Sequence, residues 1–406
     1  MKKYILLLIL FVGLILCIKF PILFSYFTIS YFLIISLIAF TYKPFKEKCI
    51  CTCDVLIPVY NEGKHIYKTI KSINKSYYKN FKIIVIDDGS NDDTKYWIEQ
   101  SILKYNNIDA IYFEKNKGKK YALAEGFKKS KADIIITIDS DSIINKKAIQ
   151  NILKPFNNEK IGAVAGNINV KNINLGLIPK LMDIIFIFSY ELLRSSQSKF
   201  GVVLCTPGAL SAYRRNAIIP ILDKWLNQKF LGKDTIIGED RALTSLLIKN
   251  NWQIVYQESA KAYTNMPIYY KDLCKMLLRW VRGDIRENIL MFEYVFKNFN
   301  ILNLKSICLF FHYIIFNIGI LSPIILLPIL ILYYIFNISQ FIIILPYICI
   351  IMLLFSIIPM IIYMRKKSIL YSIHSITYSI FSLLFLSWIP FYAILTLKNN
   401  NWLTRK

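Results

Sequence analysis

Residues 133–141 read DIIITIDSD, a run of β-forming residues that ends in two carboxylates one residue apart. Side chains alternate between the two faces of an extended chain, so Asp139 and Asp141 are expected on one side of the strand end. Two carboxylates in this position repel each other unless a cation lies between them. Mg²⁺ or Mn²⁺ binds to one or two carboxylates together with phosphate oxygens. The stretch therefore predicts a strand of an α/β sheet that ends in a divalent-cation site.

The sequence around this stretch, between about residues 49 and 300, alternates short β-rich runs with polar, helix-forming stretches. Val55–Val59 leads into a loop at 60–63, and Lys82–Asp87 leads into a loop at 88–90. This alternation predicts a parallel sheet with right-handed crossovers, whose ligands bind at the carboxyl ends of the strands. A P-loop nucleotidase and a dinucleotide oxidoreductase are disfavoured, because the sequence has neither Gly-x-x-x-x-Gly-Lys-Ser/Thr nor Gly-x-Gly-x-x-Gly.

The two ends of the chain differ from the middle in hydropathy. Mean hydropathy is +0.43 and 55% of the residues are hydrophobic, which is too high for an ordinary soluble enzyme. Residues 306–364 contain no charged side chain, and a span needs about 20 apolar residues. We expect a transmembrane hairpin of two spans at 1–48, a cytosolic domain at 49–300, and a region of about three spans at 301–406. Five spans with the basic clusters on the cytosolic side place the tail at 398–406 on the opposite, extracytosolic side of the membrane.

The charge and cysteine content limit the possible partners. The chain has 50 basic and 26 acidic residues, a net charge of +24, which favours anionic lipid headgroups and an anionic substrate over nucleic acid. The eight cysteines form no Cys-x-x-Cys pair and there are three histidines, so structural zinc is not predicted. Reduced cytosolic thiols are the simplest interpretation of these cysteines.

Six short motifs follow one another along the chain. They are PVYNE (58–62), DDGS (87–90), NKGKKYALAEG (116–126), DSD (139–141), GEDR (238–241) and RW (279–280). Together they resemble family 2 glycosyltransferases over about residues 54–290, and the flanking apolar segments resemble the membrane-integrated branch that contains hyaluronan, chitin-oligosaccharide and poly-N-acetylglucosamine synthases. The resemblance implies an α/β GT-A (nucleotide-diphospho-sugar transferase) domain inserted between N-terminal and C-terminal transmembrane helices. It also implies a multi-pass protein of the plasma (inner) membrane, with its catalytic domain in the cytosol.

For the donor side, the resemblance implies a nucleotide sugar, usually a UDP-sugar. The residues that it assigns to donor or nucleotide binding are Pro58, Tyr60, Glu62, Asp88, Lys120, Asp139 and Arg279. It assigns the metal, Mg²⁺ or Mn²⁺, to Asp139 and Asp141. Three lysines at 117, 119 and 120 lie where a basic loop neutralises phosphate, although a solvated run of charges explains them equally well.

For the acceptor side, the resemblance makes Asp240 the general base that removes a proton from the acceptor hydroxyl. Gly208, Glu239 and Trp280 are assigned to acceptor binding. Some of these residues have a second interpretation. Glu239 and Asp240 also suit the first turn of a helix, where acidic side chains interact favourably with the helix dipole. A lone tryptophan is more often a core residue.

The resemblance implies an inverting enzyme that adds N-acetylglucosamine or a related hexose to a growing β-linked polysaccharide, coupled to translocation across the membrane. The processive branch has Gln-x-x-Arg-Trp, whereas this chain has Met276 in the Gln position, and a thioether lacks the hydrogen bonds of an amide. Transfer of one sugar to a membrane lipid and a non-catalytic scaffold therefore stay open as alternatives. The resemblance implies an acceptor that is a carbohydrate or a lipid-linked molecule. It does not indicate whether an accessory subunit is needed.

Two amphipathic stretches, Leu177–Leu193 and Tyr269–Trp280, also have two interpretations. They are suited to lie at the membrane surface beneath the acceptor site. They are equally suited to pack against the globular domain.

Overall fold

A mixed β-sheet forms the centre of the protein in the computed structural model, which describes residues 21–315, 335–339, 356–357, 359–364 and 369–399. The strands are β1 Cys53–Val59, β2 Phe81–Asp87, β3 Ile108–Tyr112, β4 Ile134–Thr137, β5 Ile143–Ile144, β6 Ile161–Val170, β7 Ser211–Arg214, β8 Lys229–Phe230, β9 Lys233–Asp234 and β10 Gln253–Thr264. In this part of the chain, eight strands form one sheet in the order β3-β2-β1-β4-β7-β6-β10-β5, and β8 pairs with β9.

The helices surround this sheet and continue on both sides of it. They are α1 Pro21–Phe40, α2 Lys64–Asn74, α3 Thr94–Lys104, α4 Lys119–Lys129, α5 Ala148–Leu153, α6 Leu177–Ile187, α7 Ser195–Lys199, α8 Arg215–Ile218, α9 Leu222–Leu226, α10 Glu239–Lys249, α11 Tyr270–Lys297, α12 Leu304–Ile315, α13 Ile369–Ser372, α14 His374–Phe381 and α15 Trp388–Leu395. A π-helical turn at Phe188–Arg194 joins α6 to α7, and a second one at Ser382–Leu386 follows α14.

The first half of the sheet has the predicted parallel arrangement. Strands β3, β2, β1 and β4 are parallel, and β1 and β4 are buried along their whole length, as continuous Ile and Val runs are in parallel sheets. The second half is different, because β7 runs antiparallel to both β4 and β6. Ser211, the first residue of β7, pairs with Thr137, the last residue of β4, so β7 starts at the edge where β4 ends. The sheet is therefore mixed and not parallel throughout.

The carboxyl ends of the parallel strands bring several loops to one edge. Val59 at the end of β1 pairs with Asp87 at the end of β2, and β4 runs parallel to β1 on its other side. The loops at 60–63, 88–90 and 138–141 therefore start next to one another. The segment before Ser211 reaches the same edge from the opposite direction.

Both amphipathic stretches pack against the protein. In α6, Met182 and Phe186 belong to the central hydrophobic core, whereas Leu181 and Ile184 pack with Tyr363 of the C-terminal region. In α11, apolar side chains including Leu273 and Met276 are buried in the central core. The two stretches thus link the sheet domain with the helices that follow it.

Among the described residues, no single helix is both long and apolar enough to cross a bilayer. A bent pair, His374–Leu386 followed by Trp388–Leu395 at an angle of 41°, satisfies both criteria when its two parts are taken together. Ser30–Phe40 and Leu304–Ile315 are shorter apolar helices. Much of the sequence predicted to span the membrane, at 1–48 and 301–406, lies outside the described residues.

The segments that flank the sheet domain are bonded to it. After α1, the Tyr42 hydroxyl donates to the Tyr256 carbonyl oxygen at 2.7 Å, in β10. After α15, the Arg286 guanidinium of α11 donates to the carbonyl oxygens of Leu397 and Asn399, the latter at 2.7 Å. Residues 397–399 therefore pack against α11 of the 49–300 domain. The number of spans, and the position of the tail at 398–406 outside, stay predictions.

Candidate active site

Three charged side chains from separate elements meet at the carboxyl edge of the sheet. The Lys119 ammonium, at the start of α4, lies 2.6 Å from Asp139 Oδ1 and 3.1 Å from Glu239 Oε1. Lys119 and Glu239 are buried, whereas the Asp139 side chain is 30% exposed. Burial by itself lowers the pKa of Lys119, but the two carboxylates raise that pKa above its ordinary value, so the lysine stays charged. The cluster joins the loop after β4 to the first turns of α4 and α10.

Gly208 packs directly against this cluster. A Cβ atom at position 208 would lie 2.6 Å from the Lys119 ammonium and 3.0 Å from the nearer Asp139 oxygen. A larger residue at this position would displace the end of the Lys119 side chain or the Asp139 carboxylate. Gly208, which the sequence assigns to acceptor binding, therefore packs on an ion pair of the protein itself.

A small pocket lies beside the cluster. Its lining includes five residues that the sequence singles out: Pro58, Asp139, Gly208, Glu239 and Asp240. These residues come from β1, the loop after β4, the segment before β7 and α10. The pocket therefore brings predicted donor, metal and acceptor residues together.

The segment that carries Gly208 is fixed by hydroxyl groups. Thr206 Oγ1 lies 2.7 Å from Thr244 Oγ1 and 2.9 Å from the Tyr213 hydroxyl. Thr244 in turn donates to the Asp240 carbonyl oxygen at 2.8 Å. These bonds tie the segment to the first turns of α10 and so to the acidic pair at its start.

Asp240 lies in the first turn of α10 and is half-buried. Its Oδ1 accepts the Arg241 backbone N–H at 2.8 Å, and the Cys205 thiol lies 3.7 Å from its Oδ2. Burial and then the neighbouring Glu239 carboxylate raise the pKa of Asp240 to about 6. A carboxyl group with this pKa is mostly ionised at neutral pH and still accepts a proton readily, which suits a general base. Asp240 can therefore interact favourably with the dipole of α10 and also act as a general base.

Hydrogen bonds from backbone N–H groups to side-chain oxygens hold the loops at the ends of β1 and β2. Both oxygens of Asp88 accept backbone N–H groups, from Lys117 at 2.7 Å and from Gly118 at 2.9 Å. The Glu62 N–H donates to Thr94 Oγ1 at 2.9 Å. Asp88 is 1% exposed, so its clearest role in the structure is to fix the 116–118 loop against the end of β2.

Neighbouring lysines of α4 point to different places. Lys120 is 3% exposed and donates to the Thr235 carbonyl oxygen at 3.0 Å, and its ammonium lies 5.7 Å from the centre of the Trp225 ring. Burial lowers the pKa of Lys120 to about 8. Lys119, and not Lys120, is the lysine that contacts Asp139. Neither is part of a solvated run of charges.

On α11, the Arg-Trp pair lies between the sheet domain and α6. The Trp280 ring is 6.3 Å from the Phe186 ring, with the two planes inclined by 31°, and both Arg279 and Trp280 are half-buried. Trp280 thus packs on one aromatic neighbour without being fully enclosed. Met276 is 6% exposed and belongs to the hydrophobic core.

Asp139 and Asp141, the two residues predicted to hold a metal, differ in their surroundings. Asp141 is exposed, and Asp139 is partly exposed, with Oδ1 bonded to Lys119. In the described residues, no group of three or more His, Cys, Asp or Glu side chains is placed to hold a metal by itself. This donor set fits Mg²⁺ or Mn²⁺, which typically take one or two carboxylates and the phosphate oxygens of a substrate.

Other contacts of this site were not predicted. The Arg194 guanidinium lies 4.2 Å from the centre of the Tyr190 ring, and its Nε donates to the Cys205 carbonyl oxygen at 3.3 Å. Tyr190 and Arg194 belong to the π-helical turn after α6. Such turns are common at functional sites. Cys205 could have been predicted to lie near the site, because it is three residues before Gly208 in the sequence. Nothing in the sequence around Arg194 indicated that it lies there.

Comparisons with known proteins give a consistent result. Residues 54–222 match the family described as Glycosyl transferase family 2. The chain is similar to hyaluronan synthase of Streptococcus pyogenes, with 36% identity over 277 residues, which is 66% of this chain and 66% of that protein. It is also similar to an N-acetylglucosaminyltransferase of Azorhizobium caulinodans, with 31% identity over 58% of this chain and 60% of that protein. The matches thus span about two thirds of the length of these relatives or less.

Among solved structures, the fold is similar to that of a mannosyltransferase from Pyrobaculum calidifontis, which was determined in complex with GDP-Man and Mn²⁺. The TM-score is 0.59, and the alignment covers 92% of this chain and 94% of that one at 15% identity. At this identity the likeness concerns the fold. It agrees with the mixed sheet described above.

Proposed function

This chain belongs to glycosyl transferase family 2, and from that membership we propose that it transfers a sugar from a UDP-sugar to a growing β-linked polysaccharide. The sugar is N-acetylglucosamine or a related hexose, and the product is moved across the membrane as it grows. The names of two relatives, a hyaluronan synthase and an N-acetylglucosaminyltransferase, support this proposal. The protein acts from the plasma (inner) membrane as a multi-pass protein with its catalytic domain in the cytosol.

One observation carries the proposal: Asp139, Lys119 and Glu239 form a charged cluster that lines the same pocket as Asp240. The cluster has two carboxylates and one lysine, so its net charge is negative, and the partly exposed Asp139 is free to take a divalent cation that would bind the diphosphate of a nucleotide sugar. A neighbouring carboxylate with a raised pKa suits removal of a proton from a sugar hydroxyl. The two functions that sugar transfer requires thus lie side by side.

On the donor side, the loops at the ends of β1 and β2 bind the nucleotide. Asp88 fixes the backbone of residues 116–118, and Tyr60 and Glu62 line the base and ribose. Asp139 and Asp141 hold a divalent cation, which supplies positive charge to the diphosphate when it is bound, as Mn²⁺ accompanies GDP-Man in the Pyrobaculum protein. Lys119 adds a second positive charge next to Asp139.

On the acceptor side, Asp240 takes the proton of the attacking hydroxyl. The hydroxyl oxygen forms a bond to the anomeric carbon, the bond from that carbon to the diphosphate oxygen breaks, and the electron pair leaves with UDP. Attack from the side opposite the leaving group inverts the anomeric centre, so an α-linked donor gives a β-glycoside. Arg279 stabilises the negative charge that develops on the diphosphate. Gly208 and Glu239 shape the acceptor site, and Trp280 stacks on a sugar ring with the face that Phe186 does not cover.

A second function is favoured by one residue. Met276 is buried in the position where processive relatives have glutamine, so it offers no polar contact to a polymer. An enzyme of this kind transfers one sugar to a membrane lipid and stops. A non-catalytic scaffold has no support comparable to the charged cluster.

The test uses the full chain in nanodiscs with Mn²⁺ and a panel of radiolabelled UDP-sugars, followed by sizing of the product. A high-molecular-weight, glycosidase-sensitive product supports the polysaccharide synthase and identifies the sugar. A single lipid-extractable product of low mass supports the one-step lipid transferase. The absence of transfer from every donor, together with intact UDP binding, contradicts both enzymatic proposals for the chain alone.

A further inference from the structure

Two arginines of α11 are buried where this helix meets the segment after α15. Arg282 and Arg286 lie one helical turn apart and are each 2% exposed. Among the residues that the structure describes, neither forms a salt bridge with a carboxylate. Buried guanidinium groups are stable only where hydrogen-bond acceptors surround them.

The acceptors come from the segment that follows α15. Arg282 Nε and Nη2 lie 3.1 and 2.6 Å from Thr396 Oγ1. Arg286 Nε donates to the Leu397 carbonyl oxygen at 2.9 Å, and its Nη2 donates to the same oxygen and, at 2.7 Å, to the Asn399 carbonyl oxygen. These acceptors follow Leu395, the last residue of α15. The segment after the helix therefore supplies acceptors to both buried guanidinium groups.

The same part of α11 also contacts the turn that carries Asp240. A Cβ atom at Gly283 would lie 3.1 Å from the Gly238 Cα, which shows how closely the backbones approach. The next residue, Asp284, forms a salt bridge of 2.7 Å with Arg241. Contacts from α11 thus lie on both sides of Asp240 in sequence. The donor-side bonds of Asp88 involve none of these residues.

We propose that residues 396–399 act as a clasp that holds α11 against the start of α10, with Thr396, Arg282 and Arg286 as positioning residues for Asp240. This clasp, defined as residues 396–399, links the end of the C-terminal helices to the general base. The proposal rests on the proposed function, since it assigns Asp240 the role of base. It predicts that loss of the clasp lowers the rate of transfer and leaves nucleotide binding unchanged.

The test compares Thr396→Val with Thr396→Ser in the full chain in nanodiscs. Valine keeps the shape of threonine and removes the hydroxyl that accepts from Arg282, whereas serine keeps the hydroxyl. We expect Thr396→Val to lower kcat about tenfold, because a charged group loses its hydrogen-bond acceptor, with the donor KM and the Kd for UDP within twofold of the parent. Thr396→Ser should retain kcat within about twofold. Equal loss in both variants, or a parental kcat in Thr396→Val, overturns the clasp.

A second readout does not depend on catalysis. In hydrogen exchange, Thr396→Val should exchange faster at residues 238–244 than the parent, with no change at the 117–121 segment on the donor side. Uniformly faster exchange over both segments indicates general destabilisation and overturns the clasp. If the parent transfers no sugar from any donor, the proposed function fails, and exchange at 238–244 still decides whether the clasp exists.

Discussion

The donor side and the acceptor side of the candidate active site are built in different ways. On the donor side, loops at the ends of neighbouring parallel strands are fixed by hydrogen bonds from backbone N–H groups to side chains, such as those from residues 117 and 118 to the Asp88 carboxylate. On the acceptor side, segments far apart in the sequence are tied by side chains, as Thr206 is to Thr244 and Arg241 is to Asp284. The donor side is a property of the sheet, whereas the acceptor side depends on how α10, α11 and the C-terminal segment pack together.

This difference leads us to expect that the two sides respond separately to substitution. A change on the acceptor side should reduce the rate of transfer and preserve nucleotide affinity. A change on the donor side should do the reverse. The following substitutions are ordered from the largest expected effect to the smallest.

Asp240→Asn should separate the two sides most clearly. An amide cannot accept the proton of the acceptor hydroxyl, so kcat should fall by about 10²–10⁴, the usual contribution of a general base. Calorimetry should give a Kd for UDP close to that of the parent. Undiminished transfer by this variant removes Asp240 as the base.

Asp141→Asn should act on the donor side alone. The loss of one carboxylate weakens binding of the divalent cation, so the Kd for UDP in the presence of Mn²⁺ should rise by about tenfold. Asp109→Asn is the matched control, because Asp109 is an exposed carboxylate in β3, at the other edge of the parallel half of the sheet. A variant at position 141 whose UDP binding still responds to Mn²⁺ as the parent does contradicts the metal assignment.

The dependence of transfer on pH should report the environment of Asp240. Its pKa is raised to about 6, and only the ionised carboxylate acts as a base. The value of kcat/KM should therefore be level above this pH and fall about tenfold per unit below it. The Kd for a UDP-sugar, both of whose phosphates are fully ionised above pH 5, should show no such step near pH 6. A level kcat/KM down to pH 5 would contradict the assignment of the half-buried Asp240 as the base.

Gly238→Ala should disturb the contact between α10 and α11 with a smaller effect. Gly238 has φ +79, and a Cβ atom there would lie 3.0 Å from the Gly283 Cα. Gly232→Ala is the matched control, since Gly232 has φ +81 and nothing within 4 Å of such an atom. Both variants carry the backbone strain, and only the first also carries the clash.

We therefore expect thermal unfolding of Gly238→Ala to occur a few degrees below that of Gly232→Ala, which corresponds to about 1–2 kcal/mol. Differential scanning fluorimetry in nanodiscs measures both. Equal unfolding temperatures for the two variants would mean that α10 and α11 adjust without cost. In that case the acceptor side is less tightly packed than the structure indicates.

The prediction of family membership from six short motifs is confirmed by the match over residues 54–222. Parallel pairing of β1, β2 and β4 was also correct, because continuous Ile and Val runs followed by polar loops have few other solutions. The direction of β7 was not foreseen, since a strand of four residues carries no information on which way it enters a sheet. The sequence also did not identify which lysine contacts Asp139. Lys119 and Lys120 are identical in type, and only the start of α4 relative to β4 decides which of them faces the carboxylate.

The sequence by itself determined the α/β class, the family, and the chemical groups at the ends of the strands. These properties are local, because strand patterning and short motifs depend on residues that are close together along the chain. Only the tertiary structure decided that Gly208 packs on an ion pair, that Trp280 rests on Phe186, and that the segment after α15 returns to α11. Each of these contacts joins residues separated by tens to more than a hundred positions, and their formation depends on packing and charge burial that no short stretch of sequence encodes.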